Sequence, residues 1–267
     1  MVLRTDNKIW RGRCKKLMQR AVQSILLGNF LLGISVTLLV QGMSSAPAKA
    51  TVNRYCQLSQ AEVDRKASLR TAELAGDTAA QQQYEALSRQ HANQLKDCRR
   101  RQWPENQAIW LRLYPCDLQP GKLDEIMDRI VNLGYNQVYI EAFSNGQVLL
   151  PKNNNPTVWP SLVQSEQYAD RDLLAEAIAE ARERDLKAFA WMFTMNFGYS
   201  YGHRSDRRQV LARNASGNDS LDVAEQGNSG TSEDAFVDPY NATAQADYAQ
   251  MVRAVLARRP DGALYDY

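Results

Sequence analysis

Pro260-Asp261-Gly262-Ala263-Leu264-Tyr265-Asp266-Tyr267 closes the 267-residue sequence. Pro260, Asp261 and Gly262 end a helical pattern as a turn does, and Ala263 to Tyr267 then reads as a short buried strand. Asp266 falls at the C-terminal end of that strand. An α/β barrel carries its catalytic groups at such ends, because the loops that follow each strand form the mouth.

Working back from this stretch, the pattern of strand and helix repeats three more times. Ala108 to Tyr114 is rich in strand formers and stops at Pro115. Lys122 to Leu133 places Leu123, Ile126, Met127, Ile130 and Val131 at helical spacing and ends at Gly134, as a C-terminal cap would. Gln137 to Phe143 is a second strand. Asp170 is expected to cap a helix containing Leu173, Leu174, Ala177, Ile178 and Ala181. Lys187 to Thr194 is the third strand, and Asn241 or Thr243 caps a helix through Val252, Val255 and Leu256. Such alternation specifies right-handed parallel units. The expected fold is α/β, the N-terminal half of a (β/α)8 barrel. A doubly wound sheet is the alternative, but Pro115 to Gly121 is not a glycine-rich phosphate turn.

Upstream of the barrel the composition changes. Ser59 to Ala75 and Asp77 to about Arg101 consist of good helix formers, broken at Gly76-Asp77. Val63, Ala67 and Leu74, then Tyr84, Leu87, His91 and Leu95, give each arm a thin apolar stripe. The expected structure is an antiparallel hairpin whose open end brings Cys56 level with Cys98 for a disulfide. The third cysteine past the leader is Cys116. Residues 51–102 are expected to form this hairpin, and residues 103–267 the partial barrel.

Of 32 basic and 30 acidic residues, eight basic but one acidic lie in the first fifty. That segment has the layout of an export signal: a basic region to Arg20, an apolar run Ile25 to Val40, and Ala48-Lys49-Ala50 as a cleavage site. The expected location is secreted or periplasmic in a bacterium, with membrane contact only through this signal or anchor. The remaining body is mildly acidic, which gives no electrostatic reason to bind nucleic acid. With two histidines in the chain there is no His-rich metal constellation and no Ser-His-Asp arrangement, so no metal and no cofactor is expected.

Two long connections follow the second and third strands, Asn145 to Ala169 and Met195 to Tyr240, on the same face as Asp266. They carry Trp159, Tyr168, Asn196, Phe197, Tyr199 and Tyr201. Rings and amides on one face suit sugars, and the same aromatics would also serve as packing beneath a loop. Asn214 to Asp234 is polar and expected to be mobile.

The run Asp261 to Tyr267 resembles the fourth-strand motif of glycoside-hydrolase-like family 10. Leu133-Gly134-Tyr135-Asn136-Gln137-Val138-Tyr139 is similar to the family's second strand. Leu186 to Trp191 is similar to its third strand, and Val237-Asp238-Pro239-Tyr240-Asn241 to the segment before its third helix. Ile140-Glu141-Ala142-Phe143 stands where the family has a Gln-Val-Arg type sequence, and Phe189 where it has His. The resemblance covers about Ala108 to Tyr267 and implies a glycoside hydrolase-like protein acting on a bacterial cell-wall or surface polysaccharide. Because the family continues past this motif, it also implies a chain cut after the fourth strand and, as given, inactive. Glycoside hydrolysis needs two carboxyl groups across the scissile bond. Asp266 is the candidate nucleophile or charge stabiliser, unless it merely caps the next turn. Glu141 is the second strand-end acid: a sugar ligand, a partner for Arg112, or a proton donor. Trp191, Asn196, Tyr265 and Arg112 are candidate substrate-binding residues. A glycan-binding or structural module without catalysis is the alternative.

Overall fold

In a computed structural model, which describes residues 55–225 and 234–266, the chain begins with two helices, α1 (Gln60–Leu74) and α2 (Thr78–Arg99). Ser59 caps α1 and Asp77 caps α2, its carboxylate accepting from the Ala79 and Ala80 amides. Each cap satisfies amides that the first turn leaves without a helical partner. Gly76 turns the chain between them with a φ of +95°. The helices pack as a hairpin, and Cys56 and Cys98, 42 residues apart, are disulfide-bonded at its open end. Closing a loop of that length restricts the unfolded chain by about 2–4 kcal/mol. Cys98→Ala is therefore expected to lower stability by about that amount, read from denaturant melts; a loss under about 1 kcal/mol would contradict it.

The sheet follows: β1 (Ala108–Leu111), α3 (Lys122–Asn132), β2 (Gln137–Ser144), the two-residue β3 (Gln147–Val148), α4 (Leu173–Glu183), β4 (Lys187–Phe193), the short α5 (Gly198–Gly202) and α6 (Ser220–Glu225), α7 (Ala242–Leu256) and β5 (Gly262–Asp266). The spatial order is β1-β2-β4-β5, all parallel, with β3 antiparallel on β2. Sequential order without a reversal separates this wall from a doubly wound sheet, because right-handed crossovers then keep every helix on one side. Val138, Ile140, Ala188, Ala190 and Met192 face that side. They are fully buried in one core with Met127, Ile130, Leu174, Ile178, Met251 and Val255 from α3, α4 and α7.

The other face is the inner wall of a half barrel. In-register Trp110, Tyr139 and Phe189 stack across three strands at ring spacings of 5.6 and 4.9 Å. Gly262 ends this row, and a Cβ there would lie 2.9 Å from the Phe189 ring. Trp110 is 45% exposed. Among the described residues β1 pairs only with β2, and β5 only with β4. An aromatic face between two unpaired edges is adhesive. The purified chain is expected to size as a dimer or larger, and a monomer that unfolds cooperatively would contradict this.

Several boundaries differ from the sequence reading. β1 stops at Leu111 rather than Tyr114, because Pro115–Leu118 forms a 3-10 turn whose Asp117 carboxylate accepts from the Tyr114 amide. The N-cap of α4 is Asp172, not Asp170. Asp172 accepts from the Ala175 amide, whereas Asp170 takes a hydrogen bond from the Asn153 amide side chain. Asn241, not Thr243, caps α7. The expected signal segment lies outside the described residues, as does part of the stretch expected to be mobile. No helix among the described residues is long and apolar enough to cross a membrane.

The hairpin belongs with the sheet in one unit, Ala50–Tyr267, and a buried ionic cluster joins them. Asp128 of α3 pairs with Lys66 at 3.0 Å and Arg70 at 2.9 Å from α1, and with Arg184, just past α4, at 2.8 Å. The Tyr84 hydroxyl of α2 donates to the same carboxylate at 2.9 Å. Arg184 further bonds Asp124 and Glu180. His91, read as part of the apolar stripe of α2, is fully buried with its Nε2 3.0 Å from Glu62.

Candidate active site

The loop-bearing rim of the sheet collects the strand-end residues. Simple alternation along β2 would put Glu141 and Phe143 on one face. A register shift between them, relative to β4, turns Phe143 outward beside Met192. There its ring meets Trp159 edge-on at 4.8 Å in the buried core. Glu141 stays on the inner face, in register with Trp191. A bulge re-aims side chains in this way at the cost of one unpaired residue.

Glu141 is 7% exposed. Arg112, the first residue after β1, donates from Nε to one of its oxygens, and the Ser144 hydroxyl donates to the other. Burial pushes the Glu141 carboxyl above the usual range, and the Arg112 hydrogen bond and charge offset only part of that rise. The pairing of Arg112 with Glu141, one of three roles read from the sequence, is thus the arrangement present.

Asp266 ends β5 in register with Phe193, half-buried. Its Oδ2 accepts a hydrogen bond from the Trp191 indole Nε1 at 3.0 Å. Trp191 in turn lies between Glu141 on one neighbouring strand and Leu264 on the other. The structure therefore brings Arg112, Glu141, Trp191 and Asp266 onto one side of one sheet end. Asp261, in the same closing stretch, serves the sheet instead. Its carboxylate accepts from the Ala188 amide at 2.8 Å and its own amide donates to the Ala188 carbonyl. That pair anchors the start of β5 to β4.

Two candidates fall elsewhere. Tyr265 is in register with Met192 and so faces the helices, toward Tyr248 of α7, whose phenol is pushed up by burial and, secondarily, by Tyr265. It does not share a face with Asp266, since neighbours in a strand point oppositely. Asn196 braces the loop after β4. Its Oδ1 accepts from the Gly198 and Ala235 amides, both at 3.0 Å, and its Nδ2 donates to Asp234.

The loop aromatics divide as well. Trp159, Phe197 and Tyr201 are buried, with Trp159 stacked on Tyr201 at 5.3 Å and its indole donating to the Phe197 carbonyl. The Tyr201 hydroxyl donates to Asp247 of α7, which also holds Arg207. These rings lock both loops onto the helix layer. Tyr199 is exposed, stacked on His203 at 3.7 Å. The roles of Ser144 and Asp261 were not found from the sequence, and Trp159, Phe197 and Tyr201 were offered for either packing or presentation. Nothing local told the two apart. Among the described residues no group of three or more His, Cys, Asp or Glu is placed to hold a metal ion.

Four parallel strands in sequential order, helices on the outer side and acids at the loop rim define an α/β protein with a glycosidase-like fold, half of a (β/α)8 barrel. The family Glycosyl hydrolase-like 10 matches residues 87–266, about two thirds of the chain, and the chain belongs to that family. No curated protein matches it. Among solved structures, a hypothetical protein from Ruminiclostridium thermocellum is similar at 11% identity and a TM-score of 0.43, over 60% of this chain and 75% of that one. A noncanonic maltogenic alpha-amylase, AmyB, from Thermotoga neapolitana is similar at 12% identity and 0.39, over 60% of this chain. The chain spans 38% of the amylase.

Proposed function

We propose that this protein supplies the carboxylate at the end of β5 and part of the sugar-binding wall of a glycoside hydrolase acting on a bacterial cell-wall or surface polysaccharide, outside the cytoplasm. The observation that carries the reading is Asp266: a strand-end carboxylate on the inner face of the half barrel, oriented by an indole N–H. In this role it stabilises the positive charge that develops at the anomeric carbon, as nucleophile or as counter-charge. The Cys56 to Cys98 disulfide supports an oxidising compartment, in keeping with the export signal read from the sequence.

One observation favours the second reading, a module that holds a glycan without cleaving it. Glu141 has both oxygens engaged, by Arg112 and Ser144. A general acid must deliver its proton to the leaving oxygen, so a carboxylate held in an ion pair is poorly suited to that step. The deciding experiment incubates a version that completes the barrel, and its Asp266→Asn variant, with bacterial peptidoglycan and measures both bound polysaccharide and released reducing ends. Release by the wild type alone, with binding by both, supports the hydrolase. Binding without release by either supports the module.

A further inference from the structure

We propose that Trp191 is a positioning residue for Asp266 rather than the floor of a sugar subsite, an inference that rests on the hydrolase reading above. Among the described residues, the strand that Asp266 closes pairs on one side only, with β4. Trp191 comes from β4, which is flanked by β2 and β5. Its ring packs against Phe193, the register partner of Asp266, at 5.2 Å and 39°. That contact aims the indole along the sheet toward the rim, where Nε1 reaches Asp266 Oδ2 at 3.0 Å. The less constrained strand end thus borrows its orientation from a more constrained one.

The donor type matters. An indole nitrogen carries a hydrogen and no lone pair to offer, so it donates and never accepts. It can bond a carboxylate oxygen but cannot take a proton from the acid or shuttle one away. A sugar floor would use the indole differently, by laying the ring face against C–H surface. Trp191 is only half-buried, so exposure does not separate the roles; the in-plane N–H engaged with Asp266 is what supports positioning, and the kinetics below separate it from use of the ring face. Catalytic groups held by a rigid supporting contact retain the alignment on which rate depends, and misplacement by about 1 Å costs on the order of 100-fold.

The test has two independent arms, the first on the full chain. In the first, the Trp191 indole N–H signal is assigned by through-bond NMR and compared between the wild type and Asp266→Ala. The signal is expected to shift and its solvent exchange to accelerate at least several-fold; an unmoved signal overturns the contact and with it the positioning role. In the second, made in a version that completes the barrel, Trp191→Phe keeps a ring against Phe193 without the N–H, and Trp191→His restores a ring donor. With bacterial peptidoglycan as probe, Trp191→Phe is expected to lower kcat about 10- to 100-fold with KM within about twofold, and Trp191→His to recover part of that loss. A raised KM with unchanged kcat overturns the proposal in favour of a stacking floor. Hydrolysis that survives Asp266→Asn in a version that completes the barrel, or no hydrolysis by that version, sinks the hydrolase reading itself, a result distinct from an unmoved NMR signal.

Discussion

Replacing Asp128 by Ala is expected to cost about 3–5 kcal/mol of stability and to lower the melting temperature by roughly 10 °C or more. The reason lies in what stays behind. Lys66 and Arg184 are almost wholly shielded from solvent, each with a side chain 2% exposed, and both point at this one carboxylate. Removing it leaves two buried cations facing one another, with Arg70 close by. Burial lowers the Lys66 ammonium from its ordinary range, and Asp128 is the group that opposes this. For Asp128 itself, burial would raise the carboxyl, but Lys66 and Arg184 outweigh it and hold it below the usual 3.8. A carboxyl depressed by folding stabilises the protein above its unfolded value. That contribution is lost as pH falls through the depressed one. The wild type should therefore lose stability below about pH 4, and Asp128→Ala should lack this component. Lys66→Met leaves Asp128 paired with Arg70 and Arg184 and is expected to cost far less. Thermal melts of the two variants decide the matter: equal, small losses would mean that the cluster does not hold the hairpin to α3 and α4.

In a version of the protein that completes the barrel, Asp266→Asn is expected to lower polysaccharide hydrolysis about 1000-fold or more, equivalent to some 4 kcal/mol of transition-state stabilisation. Asn keeps the size of the side chain and an oxygen able to accept the Trp191 N–H, so the local fold is retained. What it removes is the negative charge opposite the developing oxocarbenium ion, an interaction present only in the transition state. Binding of the same polysaccharide should accordingly stay within about threefold, since ground-state contacts are unchanged. Reducing-end release and a pull-down on one substrate measure the two quantities side by side. A variant that hydrolyses as well as the wild type would remove Asp266 from the chemistry.

Much of this molecule was legible in local patterns. Leu123, Met127, Ile130 and Val131 share one side of α3 because helical spacing places them there. Gly134 ends the helix because its φ of +91° and the Tyr55 carbonyl, which would stand 2.8 Å from a Cβ, both demand glycine. The alternation of β2 predicts its buried outer face as far as Ile140. It fails at Phe143, since the two-residue period carries no mark of an inserted residue. The choice between Asp170 and Asp172 as a cap was equally beyond local rules, because both are competent acceptors and the turn before the helix selects one.

Lys66 shows the same limit from the other side. Within α1 it reads as one of several solvated charges, and the thin stripe of Val63, Ala67 and Leu74 reads as the buried side. In the structure Leu74 is 54% exposed, and Lys66 is the buried residue of the helix. Its partner, Asp128, lies on α3, far along the chain, so no window of sequence could pair them.

By itself the sequence determined the alternation of parallel strands and helices, the hairpin ahead of them and the strand end occupied by Asp266. Those features depend on periodicity, caps and turns, which act over a few residues. Only the tertiary structure decided that Glu141 is held by Arg112 and Ser144, that Trp191 donates to Asp266, that Tyr265 faces the helices and that Trp159 is packing. Each depends on which strands become neighbours and in what register, and the free energy that fixes register is shared among contacts from the whole sheet.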